Sequence, residues 1–122
     1  MNKRETGNIY EKQAESIIIN KGYHILKKNY KNRRGEIDII ASINREIVFI
    51  EVKYRKTNLY GEGLESINKN KMRKIFYTAL YYISQNNLRD FSYRFDCISF
   101  LDNEVKWLKN VIWGDEFGLQ VP

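Results

Sequence analysis

The 122-residue chain carries 21 Lys and Arg against 15 Asp and Glu, a net charge of +6. Its single cysteine and single histidine (Cys97, His24) exclude an intrachain disulfide, a four-cysteine zinc site and an H-E-x-x-H metalloprotease motif. The length suits one domain with a core that needs no covalent staples. No run approaches the roughly 18 apolar residues of a transmembrane helix. The stretch Met1 to Asn8 is polar, with no signal-peptide apolar region. The expectation is therefore a cytoplasmic protein with no membrane partner.

The charge is uneven. Residues 1–89 hold 18 basic and 9 acidic side chains, and residues 90–122 hold 3 and 6. The basic excess gathers at Lys27, Lys28, Lys31, Arg33 and Arg34, and again at Lys69, Lys71, Arg73 and Lys74. Clustered cations with interleaved aromatics are the footprint of a polyanion binder, so DNA or another nucleic acid is the expected partner, set against a merely basic surface.

In chain order, Asn8 and Glu11 resemble a capping box. Tyr10, Ala14, Ile17 and Ile18 then recur at helical spacing, and Gly22 supplies a stop. Residues 23–30 read as a strand and 31–35 as a turn. Residues 36–42 and 47–54, rich in Ile and Val, read as two more strands joined at Asn44-Arg45. A loop with Gly61 and Gly63 follows; it lacks the pattern of a nucleotide-binding turn. Met72, Ile75, Phe76, Ala79, Leu80 and Ile83 form the strongest helical stripe. Residues 92–101 read as a fourth strand, Asp102-Asn103 as a turn, and 104–109 as a candidate fifth strand. The order α-β-β-β-α-β-(β) gives an α/β fold, a mixed central sheet flanked by helices. The residues from Trp113 onward carry no signal.

A hairpin about Asn44-Arg45 sets paired positions summing to 89. It places Ile37 against Val52, Ile39 against Ile50 and Ala41 against Val48 on one apolar face. The other face then receives Asp38 against Glu51 and Glu36 against Lys53. Opposed carboxylates repel, and a cation between them is one remedy. Converging carboxylates with water and phosphate oxygens suit Mg²⁺. Lys53 projects on the same side as Glu51 because side chains repeat every second residue. Two acids and an ammonium beside a basic surface suit metal-assisted phosphodiester hydrolysis, with Lys53 orienting water or offsetting charge. The competing reading is a solvated strand face with a Glu36–Lys53 salt bridge.

Asp38 followed by Glu51-Val52-Lys53 on consecutive strands after a helix resembles the PD-(D/E)xK nuclease signature, whose core is α-β-β-β-α-β. The longer stretches Gly35-Glu36-Ile37-Asp38-Ile39-Ile40 and Val48-Phe49-Ile50-Glu51-Val52-Lys53-Tyr54-Arg55 resemble the YraN family of small bacterial endonuclease-like proteins. So do Gly7, Glu11 and Ala14, Gly22-Tyr23, Asn29, Lys71, and Arg94-Phe95-Asp96. The resemblance spans about residues 7–100 and implies a restriction-endonuclease-like fold, related to Holliday-junction resolvases. It implies Asp38, Glu51 and the Val52 carbonyl as ligands of Mg²⁺ or Mn²⁺. It implies Lys53 as the water-positioning group and Glu11 as a helix-one acid of the site, where macrodipole compensation is the alternative. Glu36 and Lys71 are auxiliary candidates. The proline of the superfamily name is replaced by Ile37.

Arg33, Arg34 and Arg55 are expected in turns near the acids as phosphate contacts, with Lys27, Lys28 and Lys31 beside them. Tyr30, Tyr54 and Tyr60 are either stacking surfaces or packed strand residues. Tyr77, Tyr81 and Tyr82 widen the helix-two core face or form an oligomer contact. Cys97 reads as a buried small hydrophobe and Asp96 as a structural acid paired with a basic neighbour. The expected function is a metal-dependent endonuclease acting on DNA, branched or single-stranded, with a homodimer for paired cuts. The alternatives are a nucleic-acid-binding module without catalysis and an interaction domain using Trp107, Trp113, Asp115 and Glu116.

Overall fold

The structure, a computed structural model, describes residues 3–55 and 69–111, with side chains over 7–54 and 70–111. Helix α1 (Lys3–Asn20) leads to strands β1 (His24–Asn32), β2 (Gly35–Ile43) and β3 (Glu46–Arg55). Helix α2 (Lys69–Gln85) and strands β4 (Ser92–Leu101) and β5 (Glu104–Leu108) follow. The sheet order is β1-β2-β3-β4-β5. The first three strands are antiparallel, β3 and β4 are parallel across α2, and β5 returns antiparallel. This is the expected α/β architecture, with the fifth strand present, and it matches a restriction-endonuclease-like core. The expected loop at Gly61 and Gly63, Tyr60, and the Trp113, Asp115 and Glu116 tail lie outside the described residues.

Both faces of the sheet are covered. On one, α1 contributes Ala14 and Ile18 to a cluster with Ile39, Ala41, Val48, Ile50, Ile98 and Phe100. On the other, α2 contributes Met72, Ile75, Phe76, Ala79, Tyr82 and Ile83 to a cluster with Ile37, Ile40, Ile47, Phe49 and Phe95. That is why β2 and β3 read as near-continuous Ile and Val runs rather than alternating ones. Gly35 lets α2 sit close on β2: an added Cβ there would lie 3.1 Å from Thr78 Oγ1 and 3.3 Å from Lys74 Cβ.

The local signals succeed and fail for physical reasons. Gly22, at φ 90°, ends α1 as expected, with Tyr23 N donating to Ile18 O at 3.2 Å. Asn8 is not a cap. It lies inside α1, which starts at Lys3, because Gly7 only weakens a helix and no proline blocks it. The expected turn 31–35 shrinks to Arg33-Arg34. The Asn32 side chain holds it, Oδ1 accepting from Arg34 N at 2.8 Å and Gly35 N at 3.3 Å. The β2–β3 turn is Asn44-Arg45, both at positive φ, as a two-residue hairpin needs. Arg45 ties this turn to the start of β4, 2.8 Å from Asp90 Oδ2 and 4.5 Å over the Phe91 ring.

The predicted register holds only in part. Pairs summing to 89 run from Ile43↔Glu46 to Ile39↔Ile50 and stop there. Ile37 does not share a face with Ile39: it packs under α2 with Tyr30, while Ile39 packs under α1. The same slip occurs on β1. Lys28, paired with Ile39, reaches Glu15 on α1, whereas Tyr30, paired with Ile37, lies edge-on to Tyr82 of α2. Between them sits Asn29 at φ 52°, a conformation Asn tolerates better than most residues. The two strands change phase together, at Asn29 and Asp38.

Midway along β4 a polar hub ties the elements together. The Asp96 side chain is fully buried and accepts from Arg94 Nε, Trp107 Nε1 at 2.8 Å and Asn110 N at 2.9 Å. Arg94 also binds Glu46 and donates to Tyr23 Oη at 2.6 Å. Asp96 is thus the paired structural acid that was expected. Asp96→Ala removes a fully buried acceptor shared by the Arg94 guanidinium, an indole N–H and a backbone N–H, and leaves Arg94 only Glu46 and Tyr23. It should cost about 3–5 kcal/mol, measured by urea unfolding, against about 1 kcal/mol for Cys97→Ala.

Candidate acidic site at the parting of β2 and β3

Beyond Ile39 and Ile50 the strands part, and side chains take over the bonding. Asp38 Oδ2 accepts from the Val52 backbone N–H at 2.8 Å, and Glu51 Oε1 accepts from the Asp38 N–H at 3.4 Å. The two carboxylates therefore cross the gap in opposite senses instead of facing each other as a ladder pair. The expected Asp38–Glu51 and Glu36–Lys53 register pairs are absent because the phase slip at Asp38 moves β2 out of step with β3. Glu36 pairs instead with Lys31 across the β1–β2 ladder.

Burial sets the electrostatics. Glu51 is 8% exposed, under α2, and its pKa is pushed up to about 8, first by desolvation and then by the Asp38 charge. Lys71 and Lys53 oppose that rise without cancelling it; Lys71 Nζ stands 3.9 Å from Glu51 Oε2. The Asp38 pKa is also raised by desolvation, against the Val52 hydrogen bond and the two lysines. Lys53 is lowered, chiefly by desolvation and by the adjacent Lys71 amine. Acids shifted up and a lysine shifted down describe one desolvated patch with both signs in close contact.

On the α1 side a cleft of about 350 Å³ opens over the parting, lined by Glu11, Asn29, Glu36, Asp38, Val52 and Tyr54. Glu11, three residues before buried Ala14, reaches it from the edge of the helix stripe. Its pKa is raised by burial, then by Asp38, Glu15 and Glu36. The structure thus sets Asp38 between two groups, Glu51, Lys53 and Lys71 toward α2, and Glu11, Glu36 and Val52 along the α1-side cleft. Asn29 was noticed in sequence only as part of a resemblance. Its positive φ is not legible from residue type, though an Asn midway along a strand is the available signal.

The basic residues do not converge as expected. Lys28 is engaged with Glu15 at 3.3 Å. Lys27 pairs with Ile40, whose side chain packs on the α2 face, and Lys31 pairs with Glu36 at the cleft rim. Arg33 is exposed in the β1–β2 turn. Arg34 is not beside the acids: its guanidinium lies 5.6 Å from the Tyr81 ring on α2. The Arg55 side chain lies outside the described residues. Tyr54 stacks on Tyr10 at 4.1 Å, so it and Tyr30 are packed rather than presented to a ligand. Cys97 is buried, with its thiol pushed up to about 11 by desolvation, so it is a core residue.

Among the described residues no three Asp, Glu, His or Cys side chains converge closely enough to hold a metal by themselves. The donors here are all hard oxygens. Asp38 and Glu51 each commit one oxygen to a backbone amide, which leaves Oδ1 of Asp38, and Oε2 of Glu51 with Lys71 Nζ 3.9 Å away. Two carboxylates completed by water and phosphate oxygens are how Mg²⁺ is commonly held, so the donor set fits such an ion.

The element order, the mixed sheet and the acids at a strand parting define an α/β protein with a restriction-endonuclease-like core. The chain belongs to the family described as uncharacterised protein family UPF0102, whose model matches residues 10–100. It is 52% identical to a UPF0102 protein of Fusobacterium nucleatum, over 97% of this chain and 99% of that one. It is 44% identical to one of Sulfurihydrogenibium, over 90% and 96%. It is 37% identical to UPF0102 protein YraN of Escherichia coli, over 88% and 83%. No helix among the described residues is long and apolar enough to cross a membrane.

The raised Glu51 pKa has a consequence for folding. The folded chain binds this proton more tightly than the unfolded chain, whose carboxyl sits near 4.5. Its contribution to stability is complete below about pH 4.5 and is lost as pH rises through about 8. Glu51→Gln keeps the shape and removes the charge. In chelator at pH 8 it should raise the Tm by about 5 °C or more, and the gain should vanish near pH 4.5 in scanning calorimetry.

Proposed function

We propose that this protein is a metal-dependent endonuclease that hydrolyses phosphodiester bonds in DNA. The observation that carries the reading is the reciprocal bonding of two carboxylates, buried Glu51 and half-buried Asp38, across parted strands, with a lowered lysine beside them. A purely structural role would favour apolar residues there, because burying like charges costs stability. The basic surface and the family resemblance support a nucleic-acid substrate.

The residues divide the work. Asp38, Glu51 and the Val52 carbonyl would hold Mg²⁺ or Mn²⁺. The bound ion would polarise the scissile phosphate and acidify a water. Lys53, with its pKa lowered, can take the water's proton on Nζ as the oxygen adds to phosphorus and the ester P–O bond breaks. The leaving oxygen takes a proton from solvent water, so a phosphate monoester and a hydroxyl are left on the two ends. The Lys71 ammonium, beside Glu51, offsets charge on the phosphate. Glu11 and Glu36 line the α1 side of the cleft, where they can hold water. Each chain carries one such site, so paired cuts in a branched substrate call for a homodimer.

Cleavage of junction, flap, single-stranded and duplex DNA in Mg²⁺ or Mn²⁺ tests the reading. At least one substrate should be cut, with Asp38→Asn and Lys53→Ala slower by about 10² or more. Cutting by both variants at the wild-type rate contradicts the assignment. Salt-dependent binding with no cutting supports a non-catalytic module instead.

A further inference from the structure

A second concavity lies away from the acids, on the α2 side of the sheet. It encloses about 550 Å³ between the C-terminal half of α2, the start of β4 and the β1–β2 turn. Tyr77, Tyr81, Phe91 and Tyr93 supply its rings, and Arg34 and Arg89 supply its charge. Among the described residues no acidic one lines it: the nearby Asp90 is held by Arg45 at 2.8 Å. Tyr81 is 40% exposed, an unusual position for a large ring with no core role. The Arg34 guanidinium sits over the Tyr81 ring, 5.6 Å from its centroid, so cation and ring share one wall of the groove.

We infer that this groove holds unpaired nucleotides of a nucleic-acid strand, their bases stacked on Tyr81 and the neighbouring rings and their phosphates met by Arg34 and Arg89. Rings give sequence-tolerant stacking, and flanking guanidiniums track a phosphate backbone. An anionic aromatic ligand matches a cationic aromatic groove in both respects. A second copy of the chain matches less well, because a two-fold contact here would set arginines against arginines with no carboxylate to answer them. A base-paired duplex matches less well too, since its bases offer no free faces. Ten residues of α2 separate Lys71, at the acids, from Tyr81, a rise of about 15 Å. That distance is within reach of a few nucleotides, so a strand lying in the groove can reach Lys71 and Glu51 on the same side of the sheet. The last point rests on the proposed nuclease reading; the groove itself needs no metal.

Fluorescence anisotropy with labelled oligo-dT and with a duplex of equal length, on the full chain in EDTA, tests the inference. Oligo-dT should bind more tightly than the duplex. Tyr81→Ala should lose about tenfold on oligo-dT with little change on the duplex, and Tyr81→Phe should retain binding. Arg34→Ala with Arg89→Ala should weaken oligo-dT binding and flatten its salt dependence. Equal losses on both ligands, or no loss with Tyr81→Ala, overturn the groove assignment. So does sedimentation showing that Tyr81→Ala dissolves a dimer while oligo-dT binding persists. Because the assay contains no metal, failure of cleavage elsewhere leaves its result intact.

Discussion

The site depends on one backbone event, the joint change of phase at Asn29 and Asp38. Two adjacent strands cannot alter which face they present unless they do so together, or every cross-strand pair behind the slip would be broken. Asn29 takes a left-handed conformation and β2 follows at Asp38, so Tyr30 and Ile37 move to the α2 side as a pair. Strand β3 does not follow. The β2–β3 ladder therefore ends at Ile39↔Ile50, and the Asp38 and Val52 amides need new acceptors. The carboxylates of Glu51 and Asp38 fill that need.

The arrangement is costly in the absence of a ligand. Glu51 and Asp38 are raised and Lys53 is lowered, all with desolvation as the first cause. The rest of the fold offsets this. Two apolar layers clamp the sheet from both sides, Gly35 lets α2 close onto β2, and the Asp96–Arg94 hub ties Tyr23, just after α1, to β3, β4 and β5. Strain concentrated at one point of a well-braced sheet is how functional sites are commonly held.

Much of this was legible in the sequence, and the limits were physical. The stripe from Met72 to Ile83 and the Ile and Val runs fixed the elements, because burial on a helix or strand imposes a period. The acids follow from register arithmetic that is correct for Ile39 to Ile43 and fails at the next residue, Asp38. Period-2 reasoning carries no information about where a strand slips. Arg34 departs from its expected place for a related reason: a turn sequence gives no direction for a long side chain, and Arg34 turned to Tyr81 rather than to the acids. Asp96 was read correctly because a lone acid among apolar strand residues must be paired.

The central claim is that Asp38 and Glu51 form a cation site and not merely a pair of structural acceptors. Isothermal calorimetry with Mn²⁺ on the wild-type chain and on Glu51→Gln, at neutral pH, tests it most directly. The account predicts one saturable site per chain, weakened about tenfold or more in the variant. No binding by the wild type, or equal binding by both proteins, would contradict it.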